Sequence, residues 1–163
     1  MVPPVRVIES AYRIAYAGSF RFPLTPPEVW RALERSDRFE MWWPWMRSLR
    51  MSGSGIAEGA EWRFEIAAPL PSRMKVATHI VESVAPARIT ARVTGDLEGD
   101  GSLELRPGAS ETVVDVRWDV EVVQRPMRAA IRVARPVVTW AHDWAVRTAV
   151  DGFRDHLAGG HEL

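Results

Sequence analysis

From Tyr12 to Phe22 apolar and polar positions alternate. Tyr12, Ile14, Tyr16, Gly18, Phe20 and Phe22 fall on one side, and Arg13, Ala15, Ala17, Ser19 and Arg21 on the other. A period of two rich in aromatics predicts a strand, which Pro23 ends. Thr25-Pro26-Pro27-Glu28 then carries the signals of a helix start: Thr as N-cap, Pro in the first turn, Glu three residues after the cap. Val29, Trp30 and Leu33 give that short helix its apolar face. Ser36-Asp37 is placed to cap a second short helix, which runs into Met41-Trp42-Trp43-Pro44-Trp45-Met46.

The pattern beyond Trp45 predicts strands. Arg47 to Met51 is the first, closed by Ser52-Gly53-Ser54-Gly55. Trp62, Phe64 and Ile66 alternate with Arg63 and Glu65 up to Pro69-Leu70-Pro71. Met74, Val76, Thr78 and Ile80 alternate with Lys75, Ala77 and His79, until Val81 and Val84 break the period and predict a bulge. Pro86-Ala87 marks a turn before Ile89, Ala91 and Val93. The run Gly95 to Gly101 reads as the next reversal, leading into Leu103 and Leu105, and Pro107-Gly108 as the turn after that. In the last strand Thr112, Val114, Val116, Trp118, Val120 and Val122 oppose Asp115, Arg117, Asp119 and Glu121, one face apolar and one charged. Spacings this short leave no room for crossover helices, so neighbouring strands should pair as antiparallel hairpins.

The segment from about Pro126 to Leu157 changes period. Val138, Val146, Ala149, Val150, Phe153 and Leu157 recur at helical spacing, and His142 fills the one gap in the stripe. Trp140 and Trp144, with Val133 and Val137, form a second stripe on the opposite side. That stripe calls for a cover, either the segment around Pro126-Met127 or a second subunit, and is the basis for expecting a homodimer. Pro136 predicts a kink or a break between about Met127–Arg135 and the main helix.

The order is strand, two short helices, about six strands, long helix: an α+β fold. A curved antiparallel sheet of six or seven strands should wrap the terminal helix, with the short helices closing one end. A bent sheet meets a straight helix best at one end, which predicts an apolar cavity at the other. Residues 1–163 read as one domain, with 1–10 and 158–163 as tails.

Composition narrows the function. With 21 basic and 21 acidic residues the formal charge is zero, and no run of five basic residues occurs. Nothing in the overall charge therefore favours nucleic acid or an anionic membrane. Cysteine is absent, which excludes disulfides, thiolate metal sites and a cysteine nucleophile. No apolar run approaches the ~18 residues of a membrane span, and the start lacks the basic and apolar regions of a signal peptide, so a cytoplasmic protein is expected. Eight tryptophans against two tyrosines imply either a large core or a cavity with indole walls.

His142 is the sharpest candidate for chemistry. Burial in the stripe would disfavour its charged form, leaving a neutral imidazole able to donate one hydrogen bond and accept another. Three roles stay open: a structural hydrogen bond, contact with a ligand, or general acid–base catalysis. Asp143 should point about a quarter-turn away, toward Arg147, and not pair with His142. Trp43, Trp62, Phe64, Trp118, Val138 and Val146 are the expected apolar wall around it. The knot Trp42-Trp43-Pro44-Trp45 reads as a lid or an edge seal, with one indole in the core, one at the mouth and one partly exposed. His79 falls on the polar side of its strand, and His156 and His161 near the frayed end. No His, Asp or Glu pair has metal-ligand spacing on one face, and no phosphate loop or Gly-x-Ser-x-Gly elbow occurs, so neither a metal nor a cofactor is expected.

The sequence resembles the START-like (SRPBCC) superfamily with its helix-grip fold. Pro26-Pro27-Glu28-Val29-Trp30, Asp37 to Trp45, Ala68-Pro69-Leu70-Pro71, Gly95 to Gly101 and Trp140-Ala141-His142-Asp143-Trp144 look like bacterial members labelled polyketide cyclase-like. The resemblance implies an apolar cavity between the sheet and the long helix. Ala141 stands where Asn is usual beside the histidine and Ala149 where Gly is common, so no role of that Asn carries over. Three functions follow as expectations. The first is binding of a small hydrophobic molecule (aromatic, polyketide-like or lipidic). The others are a cyclase or dehydratase with His142 as acid–base, and protein interaction through the Trp140/Trp144 face.

Overall fold

The computed structural model describes residues 11–70 and 72–159. In chain order the elements are β1 (Arg13–Phe22), α1 (Pro26–Leu33), a 3-10 turn (Ser36–Arg38), α2 (Phe39–Trp42), β2 (Met46–Ser52), β3 (Glu61–Ile66), β4 (Met74–Val84), β5 (Arg88–Gly95), β6 (Leu97–Pro107), β7 (Thr112–Val122) and α3 (Arg125–Gly159). The expected tails 1–10, His161 and Pro71 lie outside the described residues. Ala158 and Gly159, expected in a tail, continue α3.

The local signals act as the residue types require. At the start of α1 the Glu28 carboxylate accepts from the Thr25 backbone N–H at 2.8 Å and from its hydroxyl at 2.7 Å, fixing the first turn. β2 to β7 follow one another as antiparallel neighbours, and β1 closes on β7, giving the order β1-β7-β6-β5-β4-β3-β2. The bulge expected at Val81 is a register shift between Ile80 and Glu82. One reading is corrected: Gly95 to Gly101 is not a long reversal. Only Gly95-Asp96 turns, with Gly95 at φ 106°, and Gly99 and Gly101 already lie within β6. At Gly99 the strands run so close that a Cβ would sit 2.0 Å from the Asp119 carbonyl oxygen, so glycine is needed there by proximity and not by a turn.

The register brings the inward-facing positions of neighbouring strands side by side. Tyr16 lies opposite Trp118, Trp118 opposite Gly101, and Ile80 opposite Ala91. α3 runs over that face and is broken where Pro136 predicts it: Ala134 has φ −138° and ψ 47°. A proline ring crowds the turn before it and offers no N–H, so the break falls just upstream.

Two separate apolar clusters pin α3 to the sheet. One gathers Phe22, Trp30, Phe39, Trp42, Met46 and Phe153 beneath α1 and α2. The other joins Met74, Val76 and Val122 to Met127 and Ile131 at the start of α3. Trp62, Phe64 and Val116 pack on the first cluster and Phe64, Val93 and Val138 on the second, all only partly buried, whereas the partly buried Thr78, Trp118, His142 and Val146 belong to neither. The first cluster contains a close contact of backbones: a Cβ on Gly152 of α3 would lie 2.0 Å from the carbonyl oxygen of Trp42 in α2. Gly152→Ala should therefore destabilise the protein by about 1–3 kcal/mol through overpacking. At an open helical site the same change would stabilise by up to about 1 kcal/mol, so urea denaturation reads the sign directly.

Candidate functional site

The residues that meet at mid-helix come from β1, β7 and α3. Direct pairing of Tyr16 with Trp118 stacks their rings at 4.4 Å between centroids, 23° apart. The His142 ring meets both edge-on, at 5.4 Å from Tyr16 and 5.5 Å from Trp118. Gly18 makes this possible: a Cβ there would be 2.2 Å from the Tyr16 hydroxyl oxygen, so the phenol lies along its own strand over the glycine. Tyr16 is 8% exposed. Burial first, and the Asp143 carboxylate second, raise its pKa above the ordinary tyrosine value.

Asp143 corrects the sequence analysis. Its carboxylate oxygen comes within 3.4 Å of His142 Nδ1, so the adjacent pair does meet. That distance is long for a hydrogen bond but close enough for the charge to act on the imidazole and on Tyr16. The His142 side chain is 19% exposed.

The expected wall residues do not all gather at this point. Trp118 and His142 do. Val138 packs with the Met127 cluster, and Phe64 touches both clusters, spanning the gap. Val146 follows His142 by one turn and is half-buried. Trp43 and Trp62 belong to the other end: Trp43 lies 4.6 Å and Trp62 5.1 Å from Phe39. Trp43 Nε1 donates to Ala149 O of α3 at 3.2 Å and Trp62 Nε1 to Gly55 O at 2.7 Å. In the tryptophan knot Trp42 is the core member at 3% exposure, whereas Trp43 and Trp45 are half-buried. Trp43 and Trp45 stack at 6.2 Å, and Trp45 approaches Phe64 at 6.4 Å.

The remaining histidines also take definite places. His156 is not frayed; its ring lies 4.3 Å from that of Trp42, and burial followed by the charges of Arg38 and Arg35 lowers its pKa. His79 is not merely solvated, because its Nδ1 sits 3.2 Å from Glu61 of the neighbouring strand. Within the single chain, Trp140 of the Trp140/Trp144 stripe is 51% exposed. Tyr16 is the member that sequence analysis missed; an inward-facing Tyr-x-Gly on a strand is the signal that would have found it. Among the described residues no group of three or more His, Asp or Glu is placed to hold a metal ion.

Two surface hollows stand out among the described residues. One of about 460 Å³ sits between α1 and the β2–β3 loop, lined by Trp30, Glu34, Ile56 and Glu58. The other, about 650 Å³, is bordered by Tyr16, Ala91, Gly101 and Trp118 together with Arg92, Asp100, Ser102 and Arg117.

The family model described as Activator of Hsp90 ATPase homolog 1-like protein matches residues 23–135. The chain belongs to that family. The Activator of Hsp90 ATPase homolog 1-like family falls within the START-like superfamily that the motifs resemble, and the helix-grip architecture agrees. The matched stretch includes Trp118 but stops short of both Tyr16 and His142. Among solved structures, a conserved protein from Geobacillus kaustophilus is similar with TM-score 0.73 at 15% identity, over 91% of this chain and 97% of that one. A protein from Thermus thermophilus gives 0.70 at 14%, over 91% and 99%. The di-domain ARO/CYC protein StfQ from the steffimycin biosynthetic pathway gives 0.63 at 14%, over 91% of this chain and 53% of that one. Identities this low carry the fold alone. No curated protein matches the sequence.

For this Activator of Hsp90 ATPase homolog 1-like chain, the two tyrosines make one prediction easy to read. Alkaline titration of phenolate absorbance should show one group ionising above the ordinary value of about 10, and Tyr16→Phe should remove it. Because the folded pKa is raised, Tyr16 contributes stability that is complete below the unfolded pKa and is lost as pH rises through the folded one. The Phe variant should therefore lose stability less steeply above about pH 10.

Proposed function

We propose that the chain binds a small, largely apolar molecule in the space between the sheet and α3. The observation that carries this reading is the separation of the core into two clusters, with Thr78, Trp118, His142 and Val146 partly buried and in neither of them. A continuous core would bury Phe64, Val116, Trp118, Val138 and Val146 fully. Apolar walls with a few placed polar groups are what a small-molecule site requires. The walls here are Phe64, Trp118, Val138 and Val146, with Trp43 and Trp62 toward the α2 end. His142 and Tyr16 supply the polar groups, and an aromatic, polyketide-like or lipidic ligand carrying an oxygen would match them.

A second reading has one observation in its favour. The 3.4 Å approach of Asp143 to His142 orients an imidazole beside a phenol, the equipment of general acid–base chemistry in a cyclase or dehydratase. The likeness to the di-domain ARO/CYC protein is compatible with it. In that case the cavity would hold the substrate in a reactive conformation while His142 moves the proton.

Native mass spectrometry of protein purified from its own host tests the first reading. A retained small molecule in one-to-one ratio is expected, and His142→Ala should weaken its binding about tenfold through one lost hydrogen bond. Gly101→Val should abolish binding without unfolding the sheet, since a Cβ at Gly101 meets only ordinary contacts at 3.6 and 3.9 Å. Failure to retain any adduct or to bind an apolar fluorescent probe contradicts the reading. Under the acid–base alternative, His142→Ala would lose turnover with little change in affinity.

A further inference from the structure

Between Glu121 and Asp143 the chain carries no acidic residue, yet it holds Arg125, Arg128, Arg132 and Arg135. The neutrality of the whole chain conceals this local excess. Arg128 is used within the fold: its Nε donates to the Val122 carbonyl at 2.6 Å and a terminal nitrogen pairs with Glu121 at 3.0 Å. Arg125, Arg132 and Arg135 are exposed and form no ion pair among the described residues. Set among them are the most exposed large apolar side chains of α3: Val133 at 88%, Val137 at 49% and Trp140 at 51%. They flank the break at Ala134, Val133 in the first part of α3 and Val137 and Trp140 in the second.

We propose that this basic, apolar stretch of α3 docks on an anionic lipid surface. Val133, Val137 and Trp140 enter the interfacial layer, and Arg125, Arg132 and Arg135 stay at headgroup level. The chemistry is complementary on each count. Indole is at home at a membrane interface, where one edge is apolar and the other wet. Arginine stems lie along apolar surface while the guanidinium reaches the phosphates. No helix among the described residues is long and apolar enough to cross a membrane, so α3 lies on the surface and does not span it. A second copy of this chain is the poorer occupant. A two-fold contact would set the same patch against itself and bring the unneutralised arginines together, whereas an anionic surface removes that repulsion.

Flotation of the whole protein with vesicles tests the proposal without any cavity ligand, so its outcome is independent of the binding function above. Vesicles of phosphatidylcholine mixed with phosphatidylserine should carry the protein, and vesicles of phosphatidylcholine alone should not. Raising salt to about 1 M, where the screening length falls to ~3 Å, should release it. Each arginine near the surface is worth about fivefold in affinity, so reversing Arg132 and Arg135 to Glu should cost at least about 25-fold. Val133→Asp should also weaken binding, and at 88% exposure it should leave the melting temperature unchanged. Tryptophan emission should shift to the blue on the acidic vesicles, and Trp140→Phe should remove most of that shift. Absence of flotation at low salt overturns the proposal, as does equal binding by the arginine and Val133 variants. So does a dimer in solution that Trp140→Ser converts to monomer.

Discussion

A curved sheet is not followed along its whole length by α3, which is broken at Ala134 between its two ends. In this protein α3 is held at two places, by Phe153 and Gly152 against Phe22 and Trp42 at one end and by Met127 and Ile131 against Val76 and Val122 at the other. Everything of functional interest follows from those two anchors. Between them His142 meets Tyr16 and Trp118, whose neighbours on the sheet include Gly18 and Gly101. Under the proposed binding function, small residues on the sheet and fixed ends on the helix would keep the middle open, because folded cores are close-packed and do not stretch to fill a gap.

The polar groups sit beside the stacked rings of Tyr16 and Trp118. Tyr16 and Trp118 stack only because β1 returns to pair with β7, a contact between the first and last strands of the chain. His142 reaches them from α3, and Asp143 brings charge close to both His142 and Tyr16. The raised Tyr16 pKa and the partial exposure of His142 describe a site shielded from bulk water without being sealed. The tryptophan knot performs a different task. Trp43 hydrogen-bonds to Ala149 and packs on Phe39, tying α2 to α3, so it fixes one anchor.

Periodicity made the fold legible because strand and helix periods act locally. The alternations in β1, β4 and β7, the cap at Thr25 and the break before Pro136 are each properties of a few consecutive residues, and all appear where they were expected. The errors came from effects that need a neighbour. Gly99 looked like a turn residue, but the reason for glycine there is the approach of Asp119 from the adjacent strand. Asp143 was placed by helical angle alone, and a side chain can swing back toward its neighbour. His156 looked terminal until Trp42 covered it. Tyr16 could not be singled out because its partner Trp118 is distant in sequence and only strand pairing joins them.

The claim that the two anchors hold α3 off the sheet is tested most directly by a crystal of the protein pressurised with xenon, which enters dry apolar voids and little else. The account predicts xenon density between Phe64, Val138, Val146 and Trp118. A structure in which that band is filled by its own side chains and takes up no xenon would contradict it.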